Sequence, residues 1–438
     1  MGRGRPRGPK SLHFRSLLES LGTAVDEIGD ERQASKVSYT LQECYRSAFA
    51  MFHFQDPSIL AFQRRFQEQI GRNNLTTLFD VDTIPSDTQL RSVVDRHDYA
   101  PLKRVYRDWL KRLQRTKHLE RYRCLDGRYV ITLDGSQYFS SEKLHCQRCL
   151  HHRKDNGHIH YAHQVLQPAI VQPGRREVLP LAPEFIRQQD GTEKQDSENV
   201  AGKRVISRIR QEHRQLPAVI VADALYATSP VLTALRKNRF AYILGVKEGS
   251  HTNLFKDVDG LKRGAYLNSD YDTTAKGYRY EYRWVSGISL FTHSESPEVN
   301  YLECDIYDPK GKRTRHFTWI TDLAISEGNV RELVSVARSR WKIENENFNT
   351  LKNHGYHLEH NFGHGERYLS EAFFILNTLA FFLHQIYALV DGLYQKARAK
   401  FTSRREFWNV IRAAIQLLVF DSWEQVLLRI HDPPVRPR

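Results

Sequence analysis

Two aspartates lie where apolar runs end, in positions at which a carboxylate can bind a metal ion. Asp134 ends the apolar run of residues 129–133 and precedes a glycine, and Asp223 ends the apolar run of residues 218–222. A carboxylate at the carboxyl end of a buried strand faces the crevice in which α/β sheets bind ligands. A single aspartate there often only hydrogen-bonds the amides of a turn. Two on neighbouring strands favour a shared cation, because like charges held close together repel.

A third candidate carboxylate lies in RWKIENENFNTLKNHG, residues 340–355, which we predict to be an amphipathic helix. Successive residues of a regular helix are about 100° apart when viewed along the helix axis. On that geometry, Glu344 lies in the middle of an apolar stripe, beside Trp341 and Phe348. An ionised carboxylate facing the core is costly unless a cation or a close set of hydrogen bonds compensates it. The pattern therefore singles out Glu344.

The neighbouring charges leave two explanations open for this helix. Glu346 falls on the side opposite Glu344, next to Lys342, as expected of a solvated pair four residues apart. Arg340 falls on the same face as Glu344 and permits a buried Arg–Glu pair without any metal. Three carboxylates from two strand ends and one helix favour the alternative of two Mg²⁺ ions, or Mn²⁺ in their place. Such ions would activate a nucleophilic oxygen and stabilise the leaving oxygen of a phosphodiester.

The elements that must position the two aspartates form an α/β pattern. Apolar, β-branched and aromatic runs predict strands at residues 128–139, 158–172, 176–183, 216–226 and 239–249. One helix is predicted from Ser197 over residues 197–213, and another begins with Ser229 as its cap and Pro230 in its first turn. Strand, helix, strand in this order implies parallel pairing of the last two strands.

The segments on either side of this core differ from it in character. Residues 251–325 alternate between apolar and polar residues in YRYEYRWVSGISLF, NYLECDIYDP and RTRHFTWITDL, which predicts a β-rich insertion with a hairpin turn at DPKGK. Residues 326–395 return to the core and include the candidate catalytic helix. Residues 396–438 are predicted to be a C-terminal helical segment.

The N-terminal third of the chain is basic and helical. Residues 1–34 are predicted to be a basic flexible arm with a short helix. Residues 35–125 are predicted to be a helical DNA-binding domain, with Ser86 or Asp87 as one helix cap. Arginine and lysine interleaved with tyrosine and tryptophan suit nucleic acid, although a solvated basic helix face would look the same.

Composition bounds the partners and the compartment. The chain has 438 residues and a formal net charge of +14, from 65 Lys and Arg against 51 Asp and Glu. This surplus favours a polyanionic partner, nucleic acid before an anionic membrane, over a basic protein with no such partner.

Five cysteines in a chain of this length do not make a disulfide framework, which favours a reducing compartment. The apolar segment 373–394 is long enough to span a membrane but contains polar residues, so we interpret it as a buried core helix of a cytoplasmic protein.

The combination of motifs resembles the DDE transposases of bacterial insertion sequences, most closely the insertion-sequence-four type. LDGSQYF and VIVADALY resemble the first and second Asp motifs of that group. RWKIE is similar to its helix signature, in which Arg and Trp precede the catalytic Glu and a Lys follows it. The β-rich insertion between the second Asp and the Glu is also shared. The resemblance covers about residues 125–385 and implies an RNase H-like catalytic core.

The resemblance implies roles for individual residues. Asp134, Asp223 and Glu344 would be the catalytic metal ligands. Arg340 would contact a DNA phosphate near the cleaved end, and Trp341 would stack on a displaced base. The implied partners are double-stranded DNA, both the terminal inverted repeats and the target, with a homodimer assembled on the DNA. The implied reaction is hydrolytic nicking followed by strand transfer, with no covalent protein intermediate.

This chain departs from the group signature at two positions. Ala337 stands where the signature has Tyr, three residues before Arg340. The signature Lys comes seven residues after the Glu, where this chain has Leu351, and Lys352 follows one residue later. We expect Lys352 to reach a phosphate. A one-residue bulge in the helix would shift the alignment and bring Glu346 into contention.

A second metal site has weaker support in the sequence. Residues 145–163 contain Cys146 and Cys149 in a Cys-x-x-Cys spacing, together with several histidines. Two cysteines and a nearby histidine can bind Zn²⁺ tetrahedrally. There is no second cysteine pair, and the histidine spacing fits no standard zinc finger. The sequence therefore favours a His-rich β-hairpin tip over a structural zinc site.

Two other functional classes use the same residues differently. An RNase H-like DNA nuclease would need the same three carboxylates but would not act on the ends of a mobile element. A catalytically inactive, DNA-binding descendant would not need them, and the presence of all three disfavours it.

Overall fold

A computed structural model gives the structure of this chain. It describes residues 9–67, 69–154, 157–188, 197–291 and 296–433. The first eight residues of the predicted flexible arm lie outside these ranges.

The part of the chain that precedes the sheet is helical. Its helices are α1 (Phe14–Asp26), α2 (Leu41–His53), α3 (Ile59–Phe66), α4 (Gln69–Phe79), α5 (Asp87–Arg96) and α6 (Lys103–Arg115). Ser86 caps α5, as predicted, by accepting a hydrogen bond from the Gln89 backbone N–H. α1 is the short helix predicted within residues 1–34, and its Leu17, Leu18 and Leu21 are buried in the core.

One mixed sheet occupies the middle of the molecule. Its strands are β1 (Arg123–Cys124), β2 (Arg128–Ser141), β3 (Leu150–Arg153), β4 (Ile159–Val171), β5 (Leu179–Pro180), β6 (Glu184–Ile186), β7 (Ala218–Ala222), β8 (Ala241–Gly245), β9 (Asn268–Thr273), β10 (Arg279–Ser289), β11 (Glu298–Tyr307) and β12 (Arg313–Thr321). Three helices lie between these strands: α7 (Glu198–Glu212), α8 (Ser229–Lys237) and α9 (Thr252–Arg263). Thr228 is the N-cap residue of α8, one residue before the predicted cap, Ser229.

The pairing of the strands confirms the predicted RNase H-like core. β2 and β4 are antiparallel, and β4 is antiparallel to the short strands β5 and β6. β7 is parallel to β2, and β8 is parallel to β7. β7 is buried at every residue, which explains its continuous apolar sequence, since a central parallel strand is covered on both faces.

The β-rich insertion continues the sheet of the core. β12 pairs antiparallel with β8, and β11, β10 and β9 follow in that order to the edge. The DPKGK turn joins β11 to β12 as predicted, with Gly311 at a φ of +80°, a conformation that favours glycine. The helix α9 was not predicted within this block.

After the sheet the chain is helical again. Its helices are α10 (Val330–Arg338), a π-helix (Ile343–Phe348), α11 (Asn349–Asn353), α12 (Leu369–Val390), α13 (Gly392–Ala399), α14 (Arg404–Leu417) and α15 (Trp423–His431). α12 is long and apolar enough to cross a membrane, and it is almost wholly buried among other elements. This confirms the predicted core helix.

α12 also joins the N-terminal helices to the central sheet. It packs against α2, α5 and α6 on one side and against β5 on another. The Tyr99 hydroxyl donates to the Glu371 carboxylate of α12 at 2.8 Å, and the Tyr106 hydroxyl donates to the Ile375 carbonyl at 3.2 Å. The buried apolar residues of the described chain form one continuous core from α1 to α15. The N-terminal helices therefore do not have a core of their own.

Candidate active site

The register between two parallel strands aligns the two aspartates. Thr132 of β2 pairs with Val221 of β7, and Asp134 and Asp223 each follow two residues later. Adjacent strands lie about 4.8 Å apart, so both carboxylates lie beside the carboxyl end of β7. β2 itself continues past Asp134 to Ser141, paired with β4, so the predicted strand end at Asp134 is wrong. One Asp223 oxygen accepts a hydrogen bond from the Leu225 backbone N–H at 2.9 Å, which fixes its orientation in the turn that follows β7.

Arg340 connects Asp134 to the helical segment that contains Glu344. Its guanidinium lies 3.5 Å from the Asp134 carboxylate and 2.5 Å from the Glu344 carboxylate. The π-helix packs against β2. The structure thus brings together the three carboxylates that the sequence singled out and the arginine that precedes the third.

A fourth carboxylate, which the sequence analysis missed, lies in the same cluster. Glu198 is the first residue of α7, and its negative charge acts on Asp134 together with those of Asp223 and Glu344. A glutamate in the first turn of a helix is common because it interacts favourably with the helix dipole. The sequence therefore gave no reason to expect that this one reaches the site.

Two glycines and a tyrosine hold Glu198 in position. The Gly135 backbone N–H donates to its carboxylate, and the Tyr226 hydroxyl donates to it at 2.9 Å. A Cβ at residue 135 would lie 2.2 Å from a Glu198 oxygen, and one at Gly202 would lie 2.7 Å from the Tyr226 ring. The absence of a side chain at both positions therefore makes room for the Glu198–Tyr226 pair.

The convergence of negative charge changes the proton affinity of the site. Burial raises the pKa of Asp134 to about 7. Arg340 opposes this rise, and the charges of Glu344, Glu198 and Asp223 add to it. Burial also raises the pKa of Glu198, which the hydrogen bond from Tyr226 opposes. Four carboxylates lie close together here, and Arg340 is the cation that opposes the rise in the Asp134 pKa. Such a set of hard oxygen donors with excess negative charge is suited to a divalent cation.

The π-helix explains the position of Lys352. The Asn349 backbone N–H bonds to the Glu344 carbonyl, five residues back, so this turn accommodates one extra residue. A residue eight positions after Glu344 then takes the angular place of the seventh in a regular helix, about 20° from Glu344. The Lys352 ammonium accordingly lies 3.2 Å from the carbonyl of Gln137, three residues after Asp134 in β2.

The same π-helix makes parts of the helical-wheel prediction wrong. Glu344 does not lie in an apolar seam, since its side chain is 46% exposed, and Trp341 is 44% exposed. Lys342 is not solvated, because its ammonium is buried against the Arg175 carbonyl at 2.7 Å. Its charge still interacts with Glu346. α10 ends at Arg338 and the π turn begins at Ile343, so the regular spacing of 100° per residue does not hold through this segment and the wheel misplaced these side chains.

The cysteines of the weaker candidate site are also brought together with other ligands. Cys146 and Cys149 lie beside His163 of β4 and His364 of the loop before α12. The sequence analysis did not connect His364 with this pair, because it lies 215 residues after Cys149.

The fold defines the class to which this chain belongs, that of α/β proteins with an RNase H-like core. Residues 181–383 match the family described as the transposase DDE domain. This match supports a DDE transposase. The matched range contains Glu198, Asp223 and Glu344, and Asp134 precedes it. No curated protein is significantly similar to the chain, and the insertion-sequence-four type stays a prediction.

Proposed function

We propose that this transposase cuts DNA at the ends of its insertion sequence and transfers the freed ends to target DNA. The observation that supports this most is the convergence of Asp134, Asp223 and Glu344 beside the carboxyl end of β7. Their order along the chain and their positions on two parallel strands and a helix are those that the family resemblance implies.

The donor set fits two divalent cations, Mg²⁺ or Mn²⁺. When bound, these ions would activate the attacking oxygen and stabilise the leaving oxygen of the phosphodiester. Asp134, Asp223 and Glu344 would hold them, and we add Glu198 as a fourth carboxylate at the site. Gly135 and Tyr226 would orient Glu198 by their hydrogen bonds.

Three further residues would bind and orient the DNA. Arg340 compensates Asp134 and Glu344 in the structure, and cations held by these carboxylates would free its guanidinium for a phosphate oxygen. Lys352 would contact a phosphate beside the end of β2. Trp341, with its ring exposed, would stack on a displaced base.

The reaction would proceed in two displacements at phosphorus. Water first attacks the phosphodiester at the end of the element, and the 3′ oxygen leaves as a hydroxyl. That 3′-OH then attacks a phosphodiester of the target, whose own 3′ oxygen leaves. The number of phosphodiester bonds is unchanged in the second step, and no residue of the chain becomes bonded to DNA.

The basic surplus of the chain would supply the sequence-independent part of DNA binding. Each Lys or Arg that neutralises a phosphate adds affinity that salt weakens. We assign recognition of the terminal inverted repeats to the basic N-terminal helices, with two copies of the chain assembled on the DNA. Part of the α6 charge is already paired inside the protein, where Arg112 contacts Asp108 and the Ser16 hydroxyl.

A nicking assay tests the proposal. Duplex oligonucleotides that contain the DNA ends flanking the gene are incubated with the full chain and Mg²⁺. We expect cleavage at the element ends that EDTA abolishes, and its loss in Asp134→Ala and Asp223→Ala. Unchanged cleavage in Asp134→Ala would overturn the catalytic assignment, and no cleavage by the unaltered chain would favour an inactive descendant.

A further inference from the structure

A second cluster of metal-binding side chains lies outside the carboxylate site. Cys146, Cys149, His163 and His364 each bring one ligand atom into a group whose members all lie within 4.8 Å of one another. Cys149 and His163 are buried, at 2% and 3% exposure. Two thiols and two imidazoles are the donor set of a Cys₂His₂ zinc site.

Five of the six distances between these atoms are close to the edges of a zinc tetrahedron, and the sixth, from Cys146 to His364, is at most 4.8 Å. The two sulfurs are 3.9 Å apart, and the two Nε2 atoms are 3.1 Å apart. The sulfur–nitrogen distances are 3.6 Å from Cys146 to His163, 3.5 Å from Cys149 to His163 and 3.3 Å from Cys149 to His364. Zinc bonds of about 2.3 Å to sulfur and about 2.05 Å to nitrogen give tetrahedral edges of about 3.8, 3.6 and 3.3 Å for the three kinds of pair. Each observed edge agrees to within about 0.3 Å.

The surroundings of His364 select the form of the ring that binds a metal. Its Nδ1 lies 2.8 Å from the Gly365 carbonyl oxygen, so Nδ1 carries the hydrogen and donates it. The Nε2 lone pair then points into the cluster, 3.1 Å from His163 Nε2. A backbone carbonyl that fixes the second nitrogen in this way is typical of zinc-bound histidines.

The turn that contains the cysteines is fixed without a metal. The Cys149 backbone N–H bonds to the Cys146 carbonyl at 3.2 Å. Arg148, between them, donates to the buried Glu371 carboxylate at 2.7 Å and lies over the Tyr368 ring. The turn is therefore tied to the start of α12.

The loop that contains His364 is fixed as well. Gly363 and Gly365 on either side of it have φ angles of +134° and +70°, which favour glycine. The Asp95 carboxylate of α5 accepts the backbone N–H groups of the next four residues, 366–369. The loop is thus held by α5 with the histidine directed at the cysteines, so little ordering is needed for a metal to bind.

We propose that Cys146, Cys149, His163 and His364 bind one structural Zn²⁺ ion. Four protein ligands fill the coordination sphere, which distinguishes a structural site from a catalytic one. The ion would join the segment after β2, the strand that contains Asp134, to the loop that follows the Glu344 helix. It would thereby cross-link the parts of the chain that supply Asp134 and Glu344. The sequence-based preference for a plain hairpin tip did not take account of His364.

Metal analysis of the purified full chain, with any histidine tag removed, tests the site. We expect about one zinc per chain in the unaltered protein and less than about a fifth of that in His364→Ala and Cys149→Ser. His364→Cys should retain zinc, because Cys₃His sites also bind it. Co²⁺ in place of Zn²⁺ should give the intense visible bands of a tetrahedral thiolate site, and these should be absent in His364→Ala.

Two matched controls keep the result specific. His360→Ala removes an exposed histidine from the same loop, and Cys304→Ser removes a cysteine outside the cluster, and both should keep full zinc content. His364→Ala should remain folded by circular dichroism. Zinc content that His364→Ala and Cys149→Ser leave unchanged, iron in place of zinc, or a disulfide between Cys146 and Cys149 in metal-free protein would overturn the proposal.

Discussion

The Gly135 backbone N–H donates to the Glu198 carboxylate, and a Cβ at residue 135 would lie 2.2 Å from a Glu198 oxygen. The contact joins the residue after Asp134 to the first residue of α7. It positions a fourth carboxylate among the three that the family resemblance supplies. A glycine at this place is therefore part of the site, although it has no side chain to react.

Replacing this glycine should displace Glu198 while the chain stays folded. The atom that a Cβ would meet is the end of a flexible side chain, so we expect Gly135→Ala to lower Mg²⁺-dependent nicking by about 10–100-fold with little change in melting temperature. In a chain that already contains Glu198→Ala, Gly135→Ala should lower the nicking rate almost no further. Equal losses in both backgrounds would show that Gly135 acts through some other contact.

Glu198 itself should matter through its charge. Glu198→Gln keeps the shape of the side chain and removes the negative charge, so we expect nicking to fall by about 10–100-fold and the Mg²⁺ concentration for half-maximal rate to rise. Tyr226→Phe removes one hydrogen bond to Glu198 and should have a smaller effect in the same direction. Full activity of Glu198→Gln across Mg²⁺ concentrations would exclude Glu198 from the metal site.

The raised pKa of Asp134 predicts how stability without metal depends on pH. Burial raises the pKa of the Asp134 carboxyl to about 7 in the folded chain, from the value of 3.8 that an exposed aspartate has. The folded state therefore binds the proton more tightly than the unfolded state. The free energy of unfolding therefore falls as the pH rises from about 4 to about 7, and the penalty is complete above pH 7. Asp134→Asn removes the ionisation and should stabilise the metal-free chain at pH 8 by on the order of 1–3 kcal/mol.

Denaturant unfolding in EDTA at pH 8 and at pH 4.5 measures this effect. The gain in Asp134→Asn should be largest at pH 8 and should fall to about a quarter of that value at pH 4.5. Asp126→Asn provides the control, because the Asp126 side chain is 98% exposed. A gain that is independent of pH would contradict the charge explanation.

Lys352 should contribute to DNA affinity as a single phosphate contact. Its ammonium lies beside the Gln137 carbonyl and 2.8 Å from the Glu359 carboxylate. We expect Lys352→Gln to weaken binding to the element ends and to reduce the slope of log affinity against log salt by about one. Lys276→Gln, at an exposed turn of the β-rich insertion, should leave the slope unchanged. If Lys352→Gln has the same slope as the unaltered chain and Lys276→Gln, Lys352 does not contact a DNA phosphate.

Local sequence was enough to predict the two aspartates. A buried parallel strand has a continuous apolar sequence, and the first charged residue marks where that run ends. At Asp223 this is also the end of β7, whereas β2 continues past Asp134 to Ser141, paired with β4. The same reasoning predicted β2, β7 and β8 and the parallel pairing of β7 with β8. These features depend on residues close together in the chain, which a single sequence displays.

The features that the sequence did not reveal depend on distant contacts or on irregular backbone. Glu198 reaches the site only because α7 packs beside Gly135, and His364 meets Cys149 only in the folded chain. The π turn at Ile343–Phe348 changes the spacing of side chains without any glycine or proline to mark it. The helical wheel selected Glu344 on a regular geometry that this segment does not have, so the choice of Glu344 now depends on the RWKIE resemblance and on its contact with Arg340.

The central claim is that Glu344, and not Glu346, completes the catalytic carboxylates. Mg²⁺-dependent nicking of the element ends by Glu344→Gln and Glu346→Gln tests it directly, because the two substitutions make the same chemical change two residues apart. We predict that Glu344→Gln lowers the nicking rate by at least about 100-fold, and that Glu346→Gln stays within about threefold of the unaltered chain. A large loss in Glu346→Gln with normal activity in Glu344→Gln would contradict this account.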